Sequence, residues 1–236
     1  MPLMRLDKFI SDCGAASRRE IKQMIKAGRV TLNGEIAAAP ETKLNPESAV
    51  VAIDGTALKY EKNHYFMLNK PAGVLSATDD GKQKTVIDLF LPEHKRLGLF
   101  PVGRLDKDTT GLLLITDDGD FAHKVISPRS EIEKLYRAET TAPVDADDIA
   151  AFARGVTLAD GTKCLPAGLE LCSDGSCFVT VMEGKYHQVK RMLASRGKPV
   201  TALERLRIGG LKLDESLKPG EYRPLTADEL CSVMKK

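Results

Sequence analysis

Apolar positions along this chain fall mostly in short alternating or continuous runs bounded by Gly, Pro, Asn and Asp, a pattern of strands and tight turns. A few stretches instead show helical spacing. Leu6, Phe9 and Ile10 predict a first helix stopped at Gly14. Ser17-Arg18-Arg19-Glu20 is a capping-box pattern and opens a second helix, with Ile21, Met24 and Ile25 on one face and Gly28 at its end. Arg18, Arg19, Lys22 and Lys26 lie largely off that apolar face. Arg29–Leu32 reads as a strand, Asn33-Gly34 as a two-residue hairpin turn, and Ala49–Ile53 as a further strand closed by Asp54-Gly55.

A polar segment near residues 58–64 separates this unit from the remainder of the chain, giving domains 1–60 and 61–236. In the larger part, Tyr65–Leu68 predicts a strand, residues 69–73 a turn, and Val74–Ala77 a return strand. Thr85–Phe90 and Asp120–Ile126 read as short helices. Leu112–Ile115 is a buried strand entering the turn Asp117-Asp118-Gly119. Further strands are expected at 134–138, 168–171 and 177–181, with a helix at Val144–Phe152 ended by Gly155. Val189, Met192 and Leu193 give one more helix its apolar face. Strand patterns recur around Gly209-Gly210 and Pro219-Gly220, and Asp228–Met234 is a terminal helix. The fold class is α+β, a mixed and mostly antiparallel sheet with helices packed on it.

Composition narrows the picture. At 236 residues and 42% hydrophobic content the chain can build one large core or two modest ones. No apolar run approaches the roughly 20 residues that span a bilayer, and the first residues lack a signal-peptide pattern. A cytoplasmic protein without a membrane partner is expected. Cys13, Cys164, Cys172, Cys177 and Cys231 form no C-x-x-C pair, and the four histidines are isolated, so neither a disulfide framework nor a metal site is expected. The net charge is only +2, but residues 1–34 hold seven Lys/Arg against three Asp/Glu, and residues 183–207 seven against two. Two basic patches on an acidic remainder suit anion-binding faces.

The candidate chemistry centres on Gly103-Arg104-Leu105-Asp106, a charged turn just before the buried run at Leu112. A carboxylate beside a fixed cation stays ionised and suits a nucleophile or an electrostatic anchor, and the same spacing suits a plain ion pair in a loop. Tyr136, on an alternating strand, fits either core packing or stacking on a nucleobase. Lys70, in the turn after the first large-domain strand, reads as a solvated residue or a phosphate ligand. The N-terminal end of the helix after Gly184 favours an anion.

Two resemblances organise these residues. Residues 4–50, through Arg5-Leu6-Asp7, Ser17-Arg18, the Ile21/Ile25 face, and Gly28-Arg29-Val30 to Asn33-Gly34, resemble the small RNA-binding module named after ribosomal small-subunit protein S-four. That resemblance implies RNA contacts by Arg5, Ser17, Arg18, Arg19, Lys22, Lys26 and Arg29, with phosphates positioning rather than specifying. Four stretches further on resemble the RsuA branch of the RNA pseudouridine synthases. They are Asn69–Gly73, Gly103–Asp106 with Thr109–Leu112, Glu133–Tyr136, and Gly184–Met192.

This second resemblance implies isomerisation of uridine to pseudouridine in ribosomal RNA, of the small subunit first and of the large subunit as the alternative, without a cofactor. It implies Asp106 as the essential carboxylate, Lys190 as its salt-bridge partner, and Tyr136 against the target base. Arg104 would fill the space the base leaves, and Lys70 and Gln188 are secondary substrate contacts. A monomer acting on a pre-ribosomal small-subunit particle is the expected assembly. Two rivals are a glycoside hydrolase, which has no use for a basic module, and a non-catalytic ribosome-assembly factor.

Overall fold

A computed structural model of the chain describes residues 2–235. It holds two compact units, one comprising the chain up to His64 together with Phe90–Leu99, the other Tyr65–Leu89 and the chain from Phe100 onward.

The first unit contains β1 (Met4–Arg5), α1 (Leu6–Asp12), α2 (Arg18–Lys26), β2 (Val30–Leu32), β3 (Glu35–Ile36), β4 (Lys43–Leu44), β5 (Val51–Ile53), β6 (Thr56–Ala57) and α3 (Pro92–Lys95). The capping box at α2 forms in full: the Glu20 amide donates to Ser17 Oγ, and the Ser17 amide to the Glu20 carboxylate. Asn33 and Gly34 take positive φ, 52° and 90°, which gives the hairpin its tight turn between β2 and β3. Asn33 Oδ1 also accepts from the Val50 amide. Leu6, Phe9, Ile10, Ile21, Ile25, Val30 and Val51 make the core, with Phe9 stacked on Tyr60. Burying each large aliphatic side chain there contributes about 1.5–3 kcal/mol. The segment 90–99 joins this unit through Arg96, whose guanidinium donates to the Ala15 carbonyl.

The second unit contains β7 (Tyr65–Lys70), β8 (Phe100–Pro101), β9 (Thr110–Thr116), α4 (Gly119–Ile126), β10 (Lys134–Thr140), α5 (Ala146–Arg154), β11 (Gly168–Leu171), β12 (Cys177–Val181), α6 (Gln188–Ser195), β13 (Val200–Ile208), β14 (Leu211–Lys212), β15 (Tyr222–Pro224) and α7 (Ala227–Val233). The sheet runs β11-β12-β10-β13-β9-β7-β15, with β14 on β13 and β8 on β9. Its pairings are antiparallel except β13 with β9, so the mixed, mostly antiparallel sheet expected from the turn pattern is what forms. Leu112 and Leu114 of β9 pack with Met67, Ala122 and Val125, and Leu113 and Ile115 are equally buried, which is why this strand reads as a continuous apolar run.

Gly111, where β9 begins, has φ +94° and pairs with Arg205 of β13. A Cβ there would lie 2.3 Å from the Arg205 carbonyl oxygen, so only glycine lets these two strands meet. The return strand expected at Val74–Ala77 does not form. The segment makes one isolated bridge, Leu75 to Thr85. Ser76 instead exchanges hydrogen bonds with the backbone of Leu105, through Oγ to the carbonyl at 2.9 Å and from the amide at 3.1 Å. A side chain that satisfies a loop's backbone takes the place of a ladder. The turn expected at Asp117–Gly119 doubles as a helix start, since Asp118 caps α4 by accepting from the Phe121 amide.

Candidate active site

The loop 102–109 between β8 and β9 carries Asp106, and α6 faces it. Lys190, on the first turn of α6, places Nζ 3.1 Å from Asp106 Oδ2 and also bonds Asp108 Oδ1. His187, just before the helix, puts Nε2 3.3 Å from Asp106 Oδ1. Burial works against charge on Lys190, but its hydrogen bonds to Asp108 and Asp106 outweigh that and raise its pKa. The same contact holds Asp108 below the usual carboxylate range. Both oxygens of Asp106 thus face cationic or protonatable partners contributed from about eighty positions further along the chain. Arg104, the neighbouring cation that the local pattern suggested as the partner, is exposed and lines the cavity wall without an ion pair among the described residues.

His187 adopts a left-handed conformation, φ 47° and ψ 37°. A non-glycine residue held there stores strain of order 1–3 kcal/mol, which the surroundings must impose. Here they do so through Gln188, whose Oε1 accepts from the Lys185 amide while its Nε2 donates to Glu183. Glu183 in turn accepts from the Leu165 amide and pairs with Lys185. Gln188 is therefore a buried brace that shapes the turn into α6, with its polar atoms already engaged by the protein.

Lys70 requires a correction. It is no solvated turn residue but the last residue of β7, fully buried. Its ammonium donates to the carbonyls of Pro71, Asp106, Lys107 and Thr109 at 2.8–3.2 Å. Burial pushes its pKa down to about 8, so it remains an ammonium at neutral pH. It holds the Asp106 loop from inside and does not reach the cavity where a substrate would sit. A lysine after an apolar run gave no local sign of this, because three of its four acceptors come from a loop some forty residues away.

Tyr136, on β10, lines the same cavity as Asp106. Its hydroxyl receives a hydrogen bond from Arg205 Nη1 at 3.4 Å, and that guanidinium stands 5.9 Å from the ring centre. The cavity measures about 1000 Å³ and opens between the 102–109 loop, β10, β13 and the turn before α6. It is at the upper end of the range for small-molecule pockets. Among residues the sequence did not single out, His187, Lys134 and Arg205 all line it. His187 and Lys134 fell inside the motif stretches with no role assigned, and the one available signal for Arg205 was a charge within an apolar strand.

In the first unit, Arg18, Arg19, Lys22 and Lys26 are exposed and carry no ion pair among the described residues. Arg5 is tied to Asp7 at 2.8 Å and Arg29 to Asp54 at 2.5 Å, while the Ser17 hydroxyl is engaged in capping α2. Among the described residues no group of three or more His, Cys, Asp or Glu is placed to hold a metal ion, and no helix is long and apolar enough to cross a membrane.

Comparison with known proteins agrees with this arrangement. Residues 64–195 match the family model for RNA pseudouridylate synthase and residues 4–50 that for the S4 domain. The chain is 47% identical over 235 residues to ribosomal small subunit pseudouridine synthase A of Escherichia coli (strain K12), covering 98% of this chain and 100% of that relative. It is 43% identical over 231 residues to the RNA pseudouridine synthase YtzG of Bacillus subtilis (strain 168), covering 96% and 97%. A solved pseudouridylate synthase superposes with a TM-score of 0.69 at 39% identity, covering 98% of this chain and 99% of that one. A carboxylate pinned by Lys190 and His187 in a nucleotide-sized cleft, in a chain matched along nearly its whole length by such proteins, leaves one assignment: the chain belongs to the RNA pseudouridine synthases and carries an S4 domain over residues 4–50.

Proposed function

We propose that this chain converts a uridine of small-subunit ribosomal RNA to pseudouridine, with Asp106 as the essential carboxylate. The observation that carries the reading is the clasp on Asp106 by Lys190 and His187 inside a cavity that also presents Tyr136. Relatives named for small-subunit ribosomal RNA, alignable along nearly the whole chain, supply the substrate class.

The reaction is an isomerisation. The bond from uracil N1 to the ribose anomeric carbon breaks, the base turns, and a bond forms from that carbon to C5. The C5 proton is lost and N1 gains one, so no electrons are exchanged and no external group is consumed. Lys190 and His187 hold the Asp106 carboxylate beside the sugar, where it can attack the anomeric carbon or assist departure and recapture of the base. Tyr136 packs on the uracil with its hydroxyl held by Arg205, and it takes part in moving the C5 proton by passing its own proton on as it takes that one up. A base inside a helix must first leave the stack, which costs a few kcal/mol. Arg104, free at the cavity wall, enters the vacated space. Exposed Arg18, Arg19, Lys22 and Lys26 meet backbone phosphates and position the RNA. The protein acts as a cytoplasmic monomer on a pre-ribosomal small-subunit particle.

Asp106→Asn tests the reading. It keeps the side chain's shape and removes the charge, so single-turnover conversion should vanish while RNA binding stays within a few-fold. Near-normal product from that variant would remove Asp106 from the mechanism. Pseudouridine mapping of both ribosomal RNAs, in cells with and without the protein, identifies the substrate; a lost modification in the large subunit would transfer the activity there.

A further inference from the structure

Two cations in the cavity floor have no counter-charge among the described residues. Lys134 and Tyr136 stand two residues apart on β10 and so share a face. Arg205 stands opposite Tyr136 on β13. Lys134 is 8% exposed and Arg205 5%. Lys134 makes no hydrogen bond or ion pair among the described residues, and burial together with the neighbouring Arg205 pushes its pKa down to about 8. Arg205 uses Nε on the Leu112 carbonyl and Nη1 on Tyr136, and its buried Nη2 has no partner.

The carboxylates nearby are committed elsewhere. Glu133 pairs with Arg207, Glu183 with Lys185 and Gln188, and Asp106 with Lys190 and His187. Two buried like charges without an acid are costly, and an unpartnered guanidinium nitrogen needs an explanation.

Position narrows the ligand. Asp106 and Tyr136 line both the large cavity and a small recess of about 70 Å³ beside α6. Lys134 and Arg205 line only the large one, on the wall that Tyr136 shares with them through β10 and β13. A uracil on Tyr136 is neutral and would leave the pair's charge unbalanced. The RNA chain supplies a phosphate on either side of every nucleotide.

We propose that Lys134 and Arg205 form a phosphate seat that receives a backbone phosphate flanking the extruded uridine. The seat rests on the synthase reading and gives it depth. It anchors the strand at a second point beside the base, and it balances the buried charge only when RNA is bound.

The test is the salt dependence of binding to a small-subunit ribosomal RNA transcript, with Lys134→Met beside the full wild-type chain. Each phosphate contact contributes about 0.7 to the slope of log affinity against log salt for a single strand. The Lys134→Met slope should therefore be shallower by about 0.7. Its affinity deficit should be about 2.6-fold larger at about 50 mM than at about 200 mM salt. Lys134→Arg should restore the slope. Should the Met variant not fold, Lys134→Gln carries the same measurement.

Equal slopes in the folded variant overturn the seat. So does a weaker affinity with an unchanged slope, which would put a base there instead, and so does a slope that arginine fails to restore. Product formation by wild type on the same transcript is read separately. Its absence would end the synthase reading, whereas product with unchanged slopes would end only the seat.

Discussion

Replacing Gly111 with alanine should unfold the catalytic unit at a much lower temperature, and the size of the effect follows from one contact. Gly111 has φ +94°, well past the small left-handed region that L-residues tolerate, which alone costs about 1–2 kcal/mol. The added Cβ would meet the Arg205 carbonyl oxygen at 2.3 Å, the Arg205 amide nitrogen at 2.9 Å and Glu204 Cγ at 2.9 Å. Two of those are backbone, so the relief is to part β9 from β13 by about 1 Å, weakening the parallel pairing and the bond from Arg205 Nε to the Leu112 carbonyl. Two weakened buried hydrogen bonds add about 1–3 kcal/mol. The sum, about 2–5 kcal/mol, lowers Tm by about 4–20 °C for a chain of this size. Thermal unfolding followed by circular dichroism reads it directly. The remaining folded protein should turn over slowly, because Asp106 sits five residues before Gly111 on the loop that β9 anchors. A Gly111→Ala Tm within about 2 °C of wild type would show that the strands yield freely here, and the argument from close approach would be wrong.

Other outcomes follow from the same structure. Neutralising Arg18, Arg19 and Lys22 together to Gln should flatten the salt dependence of RNA binding by about 2 in log–log slope. Arg29→Gln, whose cation is already spent on Asp54, should change the slope by much less, and equal effects of the two would make the basic helix an ordinary surface face. Arg223 clasps Asp214 and Glu229, and its hydrogen bonds hold Glu229 at about 2; at Asp214, hydrogen bonds from Ser216 and then Arg223 bring the value to about 2. Both folded values lie below the unfolded ones, so this stabilisation is complete above about pH 5 and is lost as pH falls toward 2. Arg223→Gln should lower stability at neutral pH and flatten the loss on acidification, as read by urea unfolding at several pH values. A variant that falls with acid as steeply as wild type would remove the clasp from the acid response.

Local signals in the chain accounted for much of the architecture. The capping box, the Asn33-Gly34 turn and the continuous run at Leu112–Ile115 are decided by nearest neighbours, and each formed where its residues predicted. Motif resemblance marked Asp106, Tyr136 and Lys190 in advance; the fold pairs Lys190 with Asp106 and sets Tyr136 in the wall of the cleft that Asp106 lines. Several roles were illegible because they depend on partners far along the chain. Lys70 looks like a turn lysine until the carbonyls of residues 106–109 close over it. Val74–Ala77 has a strand's pattern, yet Ser76 spends its hydrogen bonds on Leu105. Lys134 and Arg205 are ordinary charges on paper, and only the pairing of β10 with β13 buries them together.

Spacing along the chain thus determined most helices, strands and turns, since those depend on side chains a few positions apart. Which charges face each other, which are buried, and which are left without a counter-ion was decided by the sheet order, because electrostatics acts across space and not along sequence.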